Sequence, residues 1–427
     1  RLAVFAGGCD LEAAEAVCPG PDLPAEGVLD LLSRLVDKSL LLVEVGATTA
    51  RYRLLEPVRQ YAEGRLTTED ELEAARARHA GHYLSLAERA EPELRGPAQL
   101  AWLHRLEGEQ ANLRAALRRA EAGGDAEAGL RLAVALGPFW DARSHLTEGR
   151  RWLDALLALP TAGAAPATLR ARALLASGRL AQWQTHLEAA AALLEASLAL
   201  AWPLDDRPVV AEALVYLGGV RRRQGALDRS VLLLERSLEL YRGLDDRWGV
   251  ALALMTLGVT IRFQGDAPRS ATMLEESLER FRQVGDLRWI AITLTMLGSS
   301  VYQQGDPDRA GPLILEGLAG HRAVGDRAFL IFGLLDIAAV YAAQGQPRRA
   351  ARMIGAMAAL CEALGVGLAP INRNDHDPVV EAVRGQVSEG VFEKAWAAGR
   401  ALTLDQALDE ALAPIPPTLS LPRPAGA

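Results

Sequence analysis

In the middle of the chain, apolar residues recur at helical spacing. Leu233, Leu234, Leu238 and Tyr241 form one such stripe, and Leu274, Leu278 and Phe281 repeat it one period later. The polar letters repeat with it. From Leu217 the chain reads "LGGVRRRQGALDRSVLLLERSLELYRGLDDR", and "LGxxxxxQG" returns at Leu257 and Leu297. Gln184, Gln224, Gln264, Gln304 and Gln344 are spaced 40 residues apart at every step. Each period predicts a helix, a turn at the Gln-Gly pair, a second helix carrying "LxxSLxxxR", and a break at "GD". Gly225, Gly265, Gly305 and Gly345 suit the turn, where backbone freedom is needed. Asp246, Asp286 and Asp326 suit the N-cap of the next first helix.

Small residues stand where two helices must approach closely: Gly218, Gly258 and Gly298 on the first helix, then Ser230, Ser270, Ala310 and Ala350 on the second. One hairpin cannot bury its own apolar face, so neighbours must stack into a solenoid. The pattern resembles the tetratricopeptide repeat, whose Leu-Gly pair and small second-helix positions, here also Ser237 and Ser277, it reproduces over roughly residues 168–365. Its period is 40 rather than that family's ~34, which implies longer helices, and the opening repeat at Ser177-Gly178 is degraded.

The N-terminal pattern differs. "EGVLDLLSRLVDKS" has helical periodicity, "SLLLVEV" is strand-like, "GATTA" is turn material, and "RYRLLE" returns as a second strand. "PVRQYAEGRL" opens a further helix, with Pro57 in its first turn and Glu56 as its cap. Helix, hairpin, helix is a winged-helix outline. Residues 1–66 hold ten acids and seven bases, the reverse of what a phosphate-facing surface needs, so no direct nucleic-acid contact is expected from this module.

Composition narrows the class further. Half of the 427 residues are hydrophobic, only 5% are aromatic, and Ala and Leu dominate, which favours helices packed through small contacts. A net charge of −8 argues against broad attraction to nucleic acid or an anionic membrane. No apolar run is expected to span a membrane. Cys9, Cys18 and Cys361 form no metal-ligand spacing, and a reducing cytoplasm fits them. The opening "RLAVFAGG" and the closing "APIPPTLSLPRPAGA" read as the ends of a fragment of a longer protein.

A second resemblance spans nearly the whole chain. "RLAVFAGGCDLEAAEAVC", "LLSRLVDKSLL", "RYRLLEPVRQYAEGRL", "EGEQANLRAAL" and "FWDARSHLTEGRRWLDALL" look like the bacterial signal-transduction ATPases with numerous domains. "RRAARMIGAMAALCEALG" and "VFEKAWAAGRALTLDQALDEAL" resemble the segment closing their sensor region. That resemblance implies an NB-ARC or AAA-like nucleotide module upstream, with ATP or ADP and Mg bound there and not in this chain, and often a LuxR-type helix-turn-helix downstream. In many relatives a Met-His-Asp motif of the winged-helix module touches the nucleotide. Aligning its trailing "YA" on Tyr61-Ala62 puts Leu55 at the His and Glu56 at the Asp, so the sensing His is missing.

The chain is therefore expected to be mainly α: an α-solenoid of tetratricopeptide-like hairpins preceded by a small winged-helix module. Its divisions would be a winged helix at 1–66, a helical linker or atypical helical repeats at 67–167, 40-residue repeats at 168–365, a helical cap at 366–413 and a Pro-rich tail or linker at 414–427. The variable letters fall on the first helices, which line the concave groove in the tetratricopeptide family. The groove candidates are Arg222, Arg223, Met255, Arg262, Phe263, Thr295, Tyr302 and Gln303, because Arg beside aromatics can hold carboxylates, phosphates or a peptide.

Enzymatic and metal chemistry find little support. Lys38 and Lys394 follow no Gly-rich loop, and neither GxSxG nor HExxH occurs. His79 and His82, and Asp375, His376 and Asp377, lack the converging ligands of a metal site. Trp140, Trp152, Trp183, Trp248 and Trp289 are expected as wedges between repeats rather than a ligand cage. The leading expectation is a non-enzymatic arm that binds an effector small molecule, peptide or protein in its groove and controls the nucleotide module of its parent, with self-association as a further expectation. The alternative is a constitutive scaffold for protein assembly.

Overall fold

A computed structural model describes residues 1–20, 23–45, 50–66, 69–364 and 370–413, and the side chains of all these except 69, 364 and 370–375. The expected tail at 414–427 and most of the "GATTA" turn lie outside them, as does the side chain of Asp375.

Helices α1 (Leu11–Val17) and α2 (Val28–Asp37), strands β1 (Leu41–Val45) and β2 (Ala50–Leu54), and helix α3 (Glu56–Arg65) form the N-terminal module. The strands pair antiparallel with Leu41 opposite Leu54 and Val45 opposite Ala50. Glu56 is the first residue of α3 and not its cap: Leu55 occupies the N-cap, and the Glu56 carboxylate accepts from Arg59 and Gln60 one turn on.

The module sits on α4 (Glu69–Glu93), α5 (Gln99–Gly108) and α6 (Gln110–Ala122). The expected "EGEQANLRAAL" segment supplies the joint. Asn112 accepts from Ala6 N at 2.8 Å and donates to Gly8 O at 2.9 Å, while Glu109 takes Tyr83 Oη at 2.9 Å and the Arg51 guanidinium. His79 is buried against Phe5 and Asn112, so burial lowers its pKa to about 4. Helices α7 (Ala126–Ala142) and α8 (Leu146–Leu157) make a further hairpin, with Trp140 and Trp152 in its core.

Five hairpins follow among the described residues: α9 (Ala167–Trp183) with α10 (Leu187–Ala201), α11 (Arg207–Arg223) with α12 (Leu227–Gly243), α13 (Arg247–Phe263) with α14 (Ala267–Val284), α15 (Leu287–Gln303) with α16 (Pro307–Val324), and α17 (Arg327–Ala343) with α18 (Pro347–Leu364). Helices α19 (Pro370–Gly385), α20 (Glu389–Arg400) and α21 (Leu404–Leu412) close the array.

The repeated letters now have physical roles. Asp246, Asp286 and Asp326 accept from the backbone N–H three residues on, satisfying an otherwise orphaned donor. A Cβ on Gly218 would lie 2.7 Å from Leu234 Cγ, and on Gly298 2.5 Å from Ile314, so the Leu-Gly pair sets how closely the two helices of a hairpin approach. Each period's Gln reaches back to the previous hairpin: Gln224 to Glu188 at 2.7 Å, Gln264 to Asp228 at 3.0 Å, Gln344 to Asp308 at 3.1 Å. Ser237 and Ser277 donate to the carbonyls of Ala211 and Ala251 at 2.8 Å.

One expectation needs correction. The segment Leu187–Leu204 is long and apolar enough to cross a bilayer. Here it is the second helix of a hairpin and the turn after it, with Ala190, Ala191, Leu194, Ser197 and Ala201 buried.

Candidate functional site

The first helices α9, α11, α13, α15 and α17 curl around one axis, tightly enough that Trp183 at the end of α9 packs edge-on against Phe329 on α17, ring centroids 4.9 Å apart. A cavity lies on that inner face, with about 890 Å³ of space between atoms, part of it open to solvent. It takes residues from all five helices. Helix α9 contributes its last residues, Gln182 and Trp183, whereas α17 contributes its first half, Phe329 to Asp336. The cavity therefore crosses the inner face obliquely, because each hairpin is displaced along the axis relative to the last.

Its walls are mostly apolar, from Val215, Leu252, Val259, Ile292, Phe329 and Phe332. Three guanidinium groups enter it, Arg222, Arg223 and Arg262, against one carboxylate, Asp336, which accepts from Ser299 Oγ at 2.6 Å. Arg222 and Arg262 both lie over the Phe263 ring, at 5.4 and 4.3 Å from its centroid. Arg223 is only 4% exposed; it donates to the Gln182 carbonyl and lies 5.1 Å from the Trp183 centroid, and burial lowers its pKa to about 10. It stays charged at neutral pH. Gln182 Oε1 and Trp183 Nε1, at the same end, are buried without a protein hydrogen-bond partner.

Of the eight groove candidates, Arg222, Arg223, Met255, Arg262 and Phe263 line this cavity. Thr295 does not. It is fully buried beneath α16, which comes close enough through Gly317 for a Cβ there to fall 2.4 Å from Thr295 Oγ1, and its hydroxyl donates to Ala291 O. Tyr302 and Gln303 repeat the register of Arg262 and Phe263 but lie beyond the cavity, half-buried and exposed respectively, because the oblique path has by then moved toward the start of α15. Sequence reasoning missed Gln182, Trp289, Ile292, Met296, Phe332 and Asp336. Their signal was the same 40-residue register, since Tyr216, Thr256, Met296 and Asp336 occupy one column and all line the cavity.

The tryptophans divide between the two expected uses. Trp183 and Trp289 line the cavity, while Trp248 wedges between hairpins against Phe281 and Trp289 and donates to Asp286 at 2.9 Å.

Below the cavity the superhelix closes on the N-terminal half through a buried ionic cluster. Arg288 bridges Asp326, at 2.7 Å, and Asp141, at 3.0 Å. Arg179 lies 3.5 Å from Asp141 and 3.4 Å from Glu212, which also takes Arg95 at 3.2 Å. Burial raises the Glu212 pKa, but the charges of Arg95 and Arg179 outweigh it and hold the group below the ordinary carboxylate value. Gln99 joins the same contact, donating to Asp286 at 2.9 Å and accepting from Arg288 N at 3.0 Å.

Among the described residues no group of three or more His, Cys, Asp or Glu stands in metal-binding geometry. Lys38 is the C-cap of α2 and Lys394 lies within α20.

Comparison with known proteins adds the following. Residues 1–67 match the family model of the winged helix-turn-helix domain. The N-terminal module is a winged helix-turn-helix. Over 194 residues, 43% of this chain, the sequence is 40% identical to "Putative HTH-type transcriptional regulator Rv0890c" of Mycobacterium tuberculosis, and the same identity holds for its Mycobacterium bovis counterpart, Mb0914c. The matched region spans only 21% of those relatives. Among solved structures, a Rap protein complexed with Competence and Sporulation Factor aligns over 83% of this chain and 92% of its own, with a TM-score of 0.55 and 11% identity. That likeness is one of fold, a helical solenoid of similar extent. The signal-transduction ATPase PH0952 of Pyrococcus horikoshii, with a tetratricopeptide repeat sensor, aligns over 93% of this chain at a TM-score of 0.46 and 12% identity.

Proposed function

We propose that this chain is the sensor and protein-interaction arm of a larger cytoplasmic transcriptional regulator, and that an effector held in the axial cavity sets the curl of its superhelix. The observation that carries this reading is that one cavity touches both the first and the fifth hairpin, through Trp183 and Phe329. A ligand seated there binds one curl better than another, and only such differential affinity can shift a conformational equilibrium. The homology to transcriptional regulators over the matched residues agrees with this role.

The change would be read by the nucleotide-binding module implied by the second resemblance. The winged helix-turn-helix leaves apolar side chains for it: Leu29, Leu31, Leu42, Val43, Val45 and Tyr61 are exposed on α2, β1 and α3, with Val45 at 84%. Ten acids against seven bases over residues 1–66 suit the module to protein rather than to DNA.

The test uses the full-length regulator. Replacing Arg222 and Arg262 together by Ala, with folding verified by circular dichroism, is expected to abolish the transcriptional response to its inducer. An unchanged response would remove the cavity from the mechanism.

A further inference from the structure

Among the described residues Arg223 differs from the buried guanidinium groups of Arg179 and Arg288. Those two are each paired with a carboxylate: Asp141, Glu212 or Asp326. Arg223 is as deeply buried, lines the axial cavity, and its one hydrogen bond goes to a neutral carbonyl, that of Gln182. Taking a charge out of water without a counter-charge is costly, which is why buried charges are paired. A buried cation that faces a cavity instead of a carboxylate has the partner position on the cavity side.

The surroundings restrict what that partner is. Trp183 presents its ring to the Arg223 guanidinium, 5.1 Å from the centroid, so an aromatic face lies beside the cation where it lines the cavity. Besides Arg222 and Arg262 the walls are mostly aliphatic and aromatic, and Asp336 opposes a second negative charge placed beside it at the α17 side.

Resting on the sensor reading above, we propose that the axial cavity is selective for a small monocarboxylic acid with an apolar body, its carboxylate held by Arg223 and its body lying toward Ile292, Phe329 and Phe332. The fork of a guanidinium matches a carboxylate, and low local dielectric strengthens the pair.

The experiment compares 3-phenylpropionate and octanoate with their neutral amides, read on the whole 427-residue chain by calorimetry and by the fluorescence of Trp183 and Trp289. The acids are expected to bind at least ~10-fold more tightly than the amides. Arg223→Met should erase that preference while leaving the melting temperature equal or higher, since it removes an uncompensated buried charge, and Arg223→Lys should restore part of it. Amides binding as well as acids would overturn the proposed ligand class and leave the sensor reading standing. So would an Arg223→Met variant that melts lower with its acid preference intact, because Arg223 would then be structural only. If neither acids nor amides bind, while Arg222→Ala with Arg262→Ala still abolishes the full-length response, the ligand class is again lost and the sensor reading kept. Failure of both measurements would remove the two together.

Discussion

Arg288 Nη2 on α15 donates to Asp141 Oδ1 at the end of α7, 3.0 Å away and 147 positions apart in the chain. The same guanidinium holds Asp326 at 2.7 Å, and all three side chains are buried. This contact, rather than neighbour stacking, ties the far end of the superhelix to the near one. Arg288→Met leaves the buried Asp326 without its cation and Asp141 with Arg179 alone, and removing one member of such a cluster costs about 3–5 kcal/mol. The expected result is a lower urea midpoint, with hydrogen exchange rising at α5, α7 and the α14–α15 turn together. A loss below ~1 kcal/mol would mean the closure does not depend on this ion cluster.

His321 predicts an acid limb. It is fully buried, stacked on Phe329 and facing Arg288, and burial first, then the Arg288 charge, lowers its pKa to about 3. In the unfolded chain it takes up a proton below about pH 6.5, while the folded chain does not. The stability this neutral His contributes is therefore present above pH 6.5 and lost as pH falls toward 3, on the order of 1–2 kcal/mol by pH 5. His321→Phe keeps the stacking and removes the titration. Its denaturation midpoint should fall less steeply than wild type between pH 6.5 and 4, and parallel slopes would contradict the assignment.

Gly399 and Gly355 let α20 and α18 touch backbone to backbone. A Cβ on Gly399 would lie 2.0 Å from Arg352 O, and one on Gly355 2.1 Å from Trp396 O. Carbonyls in helices cannot move aside as side chains can. Gly399→Ala is expected to cost about 1–3 kcal/mol and to loosen α20 and α21 selectively in hydrogen exchange. Gly390→Ala, on the same helix with open space around it, is the matched control and should be neutral or slightly stabilising.

The winged helix-turn-helix is expected not to bind duplex DNA. Helix α2 presents Leu29 and Leu31 to solvent beside Asp30, and residues 1–66 are net acidic. Fluorescence anisotropy with a labelled duplex at about 0.15 M salt should show no saturable binding. Binding that weakens steeply with added salt would reverse this expectation.

The repeat was legible because its fixed letters act locally: a cap three residues away, a Gln reaching the adjacent hairpin, a glycine under a leucine. The winged helix was legible for the same reason, through a short hairpin between periodic helices. Thr295, Tyr302 and Gln303 fall outside the cavity because a constant register assumes that successive helices present the same face at the same height, whereas the superhelix displaces each one along its axis. Asp141, Gln99 and Arg95 gave no signal at all. Their partners lie more than a hundred residues away, and nothing in a local pattern marks an Asp at the end of α7 as the counter-charge of an Arg on α15.

Repeat arrays grow and shrink by whole units, and the glutamine link between hairpins is indifferent to how many there are. The contact of Trp183 with Phe329 is not. It meets only when the first hairpin and the fifth have turned through the arc that brings them together, so a duplication or loss of one period would part that contact and the Arg288–Asp141 bridge at once. Closure converts an open-ended tandem array into one whose length is counted.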